Sequence, residues 1–160
     1  MKVCVFSDTH GDLLPLIGLK EKIGKPDAVF HLGDCCRDGS QAGLYLGCPV
    51  YQVKGNCDYG EHDTPEELCF RLAGKRFLLL HGHRVSSENA LFYKALEKGA
   101  DAVLSGHTHV RSAYEREGVL VLNPGSLSAP RYMSPAGCAL IEWEEGGPLT
   151  YRFLSADREK

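Results

Sequence analysis

Five short polar clusters each follow a strand-like apolar run. They are Asp8-Thr9-His10 after Val3 to Phe6, Gly33-Asp34 after Val29 to Leu32, and Gly55-Asn56-Cys57-Asp58 after Val50 to Val53. His81-Gly82-His83 follows Phe77 to Leu80, and Gly106-His107-Thr108-His109 follows Ala102 to Leu104. Carboxylate oxygens and imidazole nitrogens together suit borderline divalent ions such as Mn²⁺, Fe²⁺, Ni²⁺ or Zn²⁺. A lone Mg²⁺ or Ca²⁺ site would draw mostly on oxygens. Six or seven candidate ligands exceed what one tetrahedral ion needs, so two ions sharing a bridging carboxylate is the economical reading. Two ions about 3.5–4 Å apart can acidify a bridging water and clamp both oxygens of an in-line displacement at phosphorus. That chemistry needs no protein nucleophile.

The elements must bring these clusters together. In α/β sheets the loops at the carboxyl ends of strands converge on one crevice. Lys2 to Phe6 reads as a first buried strand, followed by a helix capped by Asp12 with Leu13, Leu16, Ile17 and Ile23 on one face. Strands are expected at Ala28 to Leu32 and Val50 to Val53, with a short helix over Ser40 to Leu46 between them. Cys69 to Leu72 and Arg76 to Leu80 form a hairpin through Ala73-Gly74-Lys75. Ser86 or Ser87 caps a helix carrying Leu91, Phe92, Ala95 and Leu96 and closed by Gly99, before a strand at Ala102 to Leu104. Beyond residue 110 the pattern turns antiparallel, with Ser112 to Arg116 and Val119 to Leu122 around Glu117-Gly118. Cys138 to Glu144 and Leu149 to Leu154 flank Gly146-Gly147, and Ala156 to Lys160 are expected to fray. The whole reads as one α/β domain over 1–160, with two facing sheets and helices outside.

In this order, D-x-H, G-D, G-N-x-D, H-G-H and G-H-T-H resemble the calcineurin-like metallophosphoesterases. More narrowly, they are similar to the small single-domain phosphodiesterases of that superfamily whose Asn motif reads G-N-C-D. The resemblance runs from Lys2 to about Arg131 and includes the Asn123-Pro124-Gly125-Ser126 turn. It implies a four-layer αββα sandwich of mixed sheets. It implies Asp8, His10 and His109 on one metal, Asn56, His81 and His107 on the other, and Asp34 bridging the two. The expected cofactors are two divalent ions, manganese foremost, with nickel, iron, zinc and magnesium as alternatives. The expected reaction is hydrolysis of a small phosphodiester or phosphomonoester. Many members of the wider superfamily carry a His after the Asn that protonates the leaving group; here that position is Cys57. A thiol with an ordinary pKa near 8.5 can donate a proton but is a weaker acid catalyst than imidazole. Asp58, which orients that His in the wider pattern, has an empty or changed role here, and His83 is a candidate substitute acid. Arg37, beyond Asp34, is a candidate for the substrate phosphate alongside Asn56, with a surface salt bridge as the plain alternative.

Composition excludes other classes. Apolar content of 43% and charged content of 24% are ordinary for a globular domain. A net charge of −3 without a basic run argues against a stable nucleic-acid partner. No apolar stretch approaches the roughly 20 residues of a membrane span. With no leader pattern before the first strand, a cytoplasmic setting is expected. The seven cysteines are odd in number, and several sit in apolar runs, so they read as reduced. His31 reads as structural and His62 as a solvated loop residue. Arg131 is open to either a phosphate or a surface role, and Cys57 to a filler role or a redox-sensitive one. The apolar antiparallel edge near the C-terminus can pair with a second copy, giving a homo-oligomer.

Two other functions fit parts of the pattern. A non-catalytic scaffold on the same fold, resembling the retromer-subunit branch, would keep several histidines but lose the bridging Asp and the Asn. Asp34 and Asn56 are both present here. A single-metal sensor would not need both half-sites.

Overall fold

A computed structural model describes residues 1–156. The elements are β1 (Lys2–Phe6), α1 (Leu14–Ile23), β2 (Ala28–His31), α2 (Cys36–Leu46), β3 (Val50–Gln52), β4 (Glu67–Leu72) and β5 (Lys75–Leu80). They continue with α3 (Glu88–Lys98), β6 (Ala102–Leu104), β7 (Arg111–Arg116), β8 (Val119–Pro124), β9 (Gly137–Glu142) and β10 (Thr150–Ser155). Sheet A runs β10-β9-β1-β2-β3 and sheet B runs β4-β5-β6-β8-β7. Each is mixed. β1, β2 and β3 are mutually parallel, as are β5, β6 and β8, while β9, β10, β4 and β7 pair antiparallel at the flanks. The three parallel strands of each sheet therefore end on one edge, and the five polar clusters follow there.

The period of two along each strand sorts side chains into layers. Val3, Val5, Phe30, Phe77, Leu79, Leu104, Leu122 and Ile141 meet between the sheets. Cys4, Phe6, Val29 and Leu140 turn outward to Leu16, Leu19 and Ile23 of α1 and Ala42 and Leu46 of α2. Leu78, Leu80, Val103 and Val121 face Leu91, Phe92 and Ala95 of α3 on the other side. The layers are helix, sheet, sheet, helix, as expected. No helix of the described residues is long and apolar enough to cross a membrane.

Several expectations shift by a turn or less. Helix α2 begins at Cys36 instead of Ser40, because its first backbone N–H groups find an acceptor far along the chain. Asp12 accepts the Leu14 N–H at 2.9 Å, but Leu13 stands at the cap position of α1. Leu19 joins Leu16 and Ile23 inside, while Ile17 is exposed. Ser87, not Ser86, caps α3 through the Ala90 N–H. The expected fraying of Ala156 to Lys160 lies, past Ala156, outside the described residues.

His31 ends β2 with no exposed surface and with neither ring nitrogen hydrogen-bonded. It packs against Phe6, ring centroids 5.3 Å apart, and against α2 at Gly39, where a Cβ would come within 2.9 Å of its Cγ. Burial pushes its pKa down to about 4. The unfolded chain therefore takes up a proton below about pH 6.5 that the folded chain refuses until about pH 4, so stability falls with pH across that window. His31→Leu removes this acid sensitivity. Urea unfolding at pH 6.5 and pH 4 should show the wild type losing up to about 3 kcal/mol relative to the variant; parallel losses in both proteins would mean that His31 does not resist protonation.

Candidate metal centre

The site forms where the carboxyl edges of the two sheets meet. Asp8 Oδ1 lies 3.1 Å from His109 Nε2, 3.8 Å from His81 Nε2 and 3.9 Å from His10 Nε2. Asp34 Oδ2 lies 3.4 Å from His81 Nε2 and 3.7 Å from His10 Nε2, and His10 and His109 approach to 3.3 Å through their Nε2 atoms. One ligand atom from each of Asp8, His10, Asp34 and His109 falls within 4.8 Å of every other. His107 stands beside His81, ring centroids 5.2 Å apart, and His83 is 5.5 Å from the His81 ring and 6.2 Å from that of His107. Asn56 is exposed, its Nδ2 3.6 Å from Cys57 Sγ.

Hydrogen bonds fix which atoms face inward. His81 Nδ1–H donates to the Leu32 carbonyl at 2.7 Å and His109 Nδ1–H to the Ala129 carbonyl at 2.6 Å. Each ring so held, when neutral, turns an Nε2 lone pair toward carboxylates. His81 Nε2 and Asp8 Oδ1 are both buried without a hydrogen-bond partner. Lone pairs converging in a buried space need a proton or a cation between them. The neighbouring Asp8 carboxylate raises His109, and for His81 the nearby carboxylates of Asp34 and Asp8 outweigh burial. Burial works to raise both carboxylates, yet the neighbouring His81 and the Cys57 N–H hold Asp34 well below the usual range, and the neighbouring His109 and His81 lower Asp8. Burial and the nearby His81 charge lower His107 and His83.

The backbone is strained where it carries these groups. Asp8, His10, Asp34, His107 and His109 have φ of 55°, 46°, 60°, 70° and 61°, a region that L residues avoid. Gly55 and Gly106 let the loops close on the carboxylates. A Cβ on Gly55 would strike the Asp34 carboxylate, and one on Gly106 would reach within 2.7 Å of Asp8 Oδ2.

Asp58 holds two loops in register. Its Oδ2 accepts the N–H of Asp34 at 2.9 Å and of Gly55 at 2.7 Å; its Oδ1 accepts those of Cys35 and Cys36, each at 2.8 Å. Burial alone would raise this carboxyl, but the backbone N–H groups keep it low. A negative charge here also meets the positive end of α2. In return Cys57 N–H donates to Asp34 Oδ1 at 2.9 Å. Asp58 thus positions Asp34 and touches no other expected ligand through its side chain.

Further supports were not singled out from the sequence. Asp38 accepts Thr9 Oγ1–H at 2.5 Å and Gly11 N–H at 2.8 Å. Ser126 and Ser128 hydroxyls donate to the carbonyls of Asp8 and Thr9, both at 2.7 Å. Asn123 Nδ2 donates to the Gly106 carbonyl at 2.8 Å, which gives the Asn-Pro-Gly-Ser turn its physical task. Beside the centre an open cleft of 480 Å³ is lined by His10, Arg37, Cys57, Asp58 and Tyr59 among others. Arg37 and Cys57 are exposed there, and burial with the Asp34 carboxylate pushes the Cys57 thiol up. His62 is exposed in its loop and Arg131 is exposed, its backbone N–H on the His109 carbonyl at 3.1 Å.

Comparison with known proteins places this geometry. The model of the calcineurin-like phosphoesterase superfamily domain matches residues 1–146. The chain is 32% identical over 158 residues to the probable metallophosphoesterase YsnB of Bacillus subtilis, covering 96% of this chain and 90% of that protein. It is 30% identical over 166 residues to the phosphodiesterase YfcE of Escherichia coli, covering 89% and 88%. The crystal structure of Vps29 from Entamoeba histolytica complexed with Zn²⁺ superposes with a TM-score of 0.79 at 25% identity, covering 94% of this chain and 90% of that one.

Asp58→Ala leaves four backbone N–H groups without their acceptor. Partial hydration of the site limits the cost to about 2–4 kcal/mol. Urea unfolding should show that loss, and calorimetric titration with Mn²⁺ should show weakened binding in the fraction still folded. Unchanged metal affinity would mean that Asp58 does not set the position of Asp34.

Proposed function

The chain belongs to the calcineurin-like phosphoesterase superfamily, and we propose that it is a phosphodiesterase dependent on two divalent metal ions. One observation carries this reading: the buried, partnerless Asp8 Oδ1 and His81 Nε2, set among the Nε2 atoms of His10 and His109 and the Asp34 carboxylate. That donor set, two carboxylates and several neutral imidazoles, fits borderline divalent cations. Asp8, His10 and His109 would hold one ion, and Asn56, His81 and His107 the other. Asp34 would serve both, in keeping with its approach to His10 on one side and His81 on the other. When bound, such ions supply Lewis acidity toward a phosphoryl oxygen and make water a nucleophile at neutral pH.

The remaining steps fall to the chain's own groups. The Nδ1–H bonds to the Leu32 and Ala129 carbonyls keep His81 and His109 in the ligand tautomer throughout. Asp58 and Asp38 keep the two carboxylate loops from relaxing as charge changes between them. In the open cleft Arg37 is placed to meet a phosphate oxygen through its guanidinium, and Asn56 through its amide. Cys57 lines the same cleft and would take the place of an acid for the leaving alcohol, with His83, its ring 5.5 Å from that of His81, as the substitute. A cleft of 480 Å³ open to solvent suits a small diester.

Hydrolysis of a chromogenic aryl phosphodiester and its monoester tests the assignment. Metal-stripped protein should be inactive and should recover with Mn²⁺, with Ni²⁺, Zn²⁺ and Mg²⁺ as comparisons. Asp34→Asn should lose metal and turnover together, by on the order of a hundredfold or more. Near-normal turnover in that variant would sink the two-metal reading, and a monoester preferred over the diester would overturn the diester assignment. A second measurement concerns Cys57. Cys57→His should raise turnover of diesters with poor leaving groups by about tenfold or more, with little change for nitrophenyl esters. An equal loss on both would remove Cys57 from the acid position.

A further inference from the structure

Side chains facing α3 change character at the carboxyl edge of sheet B. On β5, Leu78 and Leu80 face α3, and two positions on comes Gly82. On β6, Val103 is followed in the same way by Ser105, and on β8, Val121 by Asn123. The period of two keeps each on the face of its predecessor. Where the large apolar side chains stop, α3 loses its packing surface, and a cavity of 270 Å³ opens between Leu91 and Val121 and these three residues. Its lining includes Gly82, Gly106 and Thr108, neighbours in sequence of His81, His107 and His109, but none of the expected metal ligands. His81, one residue before Gly82, points inward to Asp8 and Asp34, and the open side of Gly106 faces Asp8.

The cavity holds polar groups with nothing to bond. Ser105 is only 4% exposed, and its hydroxyl has no hydrogen-bond partner among the described residues. A molecule in the cavity would offer that hydroxyl a partner. Ser86 and Ser112, at its rim, are likewise without a partner among the described residues. Glu88, in the first turn of α3, is the one charged side chain of the lining, and the partial positive charge of that helix end offsets it only in part. A lining of hydroxyls, apolar side chains and one carboxylate disfavours anions and suits a neutral molecule with several hydroxyl groups and a carbon face. The volume is just below the roughly 300–1,000 Å³ of drug-sized sites, so the molecule is small.

We propose that this cavity is a binding site for a small neutral polyhydroxy compound, in the size range of glycerol to a pentose, separate from the metal centre. The Ser105 hydroxyl meets one hydroxyl of the ligand, Ser86 and Ser112 meet others at the rim, and Leu91 and Val121 cover its C–H face. Nothing in this site depends on the metal reading of the opposite face.

Amide chemical-shift titration of the full chain, without added metal, tests the site with glycerol, D-ribose and inorganic phosphate as separate probes. Glycerol or D-ribose should shift the amides of Gly82, Leu91 and Ser105 saturably, and phosphate should not. Ser105→Val, which places an apolar group in apolar surroundings, should weaken that binding about tenfold. Ser86→Ala, at an exposed rim position, should weaken it about threefold and decides the matter if the Ser105 variant does not fold. Absence of saturable shifts with either polyol, shifts with phosphate alone, or shifts indifferent to both substitutions would overturn the proposal.

Discussion

Two carboxylates taken out of water at the seam of two sheets set the terms for everything near them. Asp8 has no exposed surface and Asp34 only 2%. A buried charge persists only where hydrogen bonds and opposite charge replace its hydration. Here the replacements come from every loop on that edge. Backbone N–H groups of His107 and Cys57 reach Asp8 and Asp34, and the imidazoles of His10, His81 and His109 complete the ring. The sandwich keeps its carboxyl edges open to one another because these loops occupy the gap that apolar side chains fill elsewhere.

Such an arrangement stores strain. Five expected ligands adopt left-handed φ values, at a cost of about 1 kcal/mol or more apiece. The strain survives because groups outside the ligand set over-determine each loop. Ser126 and Ser128 hold the first loop from β8's far end, Asp38 holds it from α2, and Asp58 holds the second from the third. None of these four side chains needs to touch a metal or a substrate to matter. Each converts a flexible connection into a fixed distance between expected ligands.

Sequence pattern made some of this plain and concealed the rest, for identifiable reasons. Strands β1, β5 and β6 announce themselves as apolar runs because both faces of each are buried. The polar clusters were legible for the same reason: an Asp or His directly after such a run stands out. Helix α2 was legible only from Ser40 onward, because its true start depends on the Asp58 carboxylate more than 20 residues away in sequence. The exposure of Ile17 and burial of Leu19 depend on how α1 lies on sheet A, which periodicity alone does not settle. Asp58 read as the partner of a missing histidine, whereas its four bonds go to backbone, and backbone partners leave no trace in residue type.

The same alternation explains how one sheet edge can carry two unlike surfaces. Along β5 and its continuation, residues facing inward run Phe77, Leu79, His81, and residues facing outward run Leu78, Leu80, Gly82. Along β6 the inward row ends at Gly106 against Asp8, and the outward row ends at Ser105 beneath α3. A single polar residue at each strand end would have produced one site. Two in succession, His81 with Gly82 and Ser105 with Gly106, leave the apolar core on both faces at once. The inward face then gathers charge, because five loops meet there and pair it. The outward face meets only one helix, so what forms is a small space lined mainly by hydroxyls and apolar side chains.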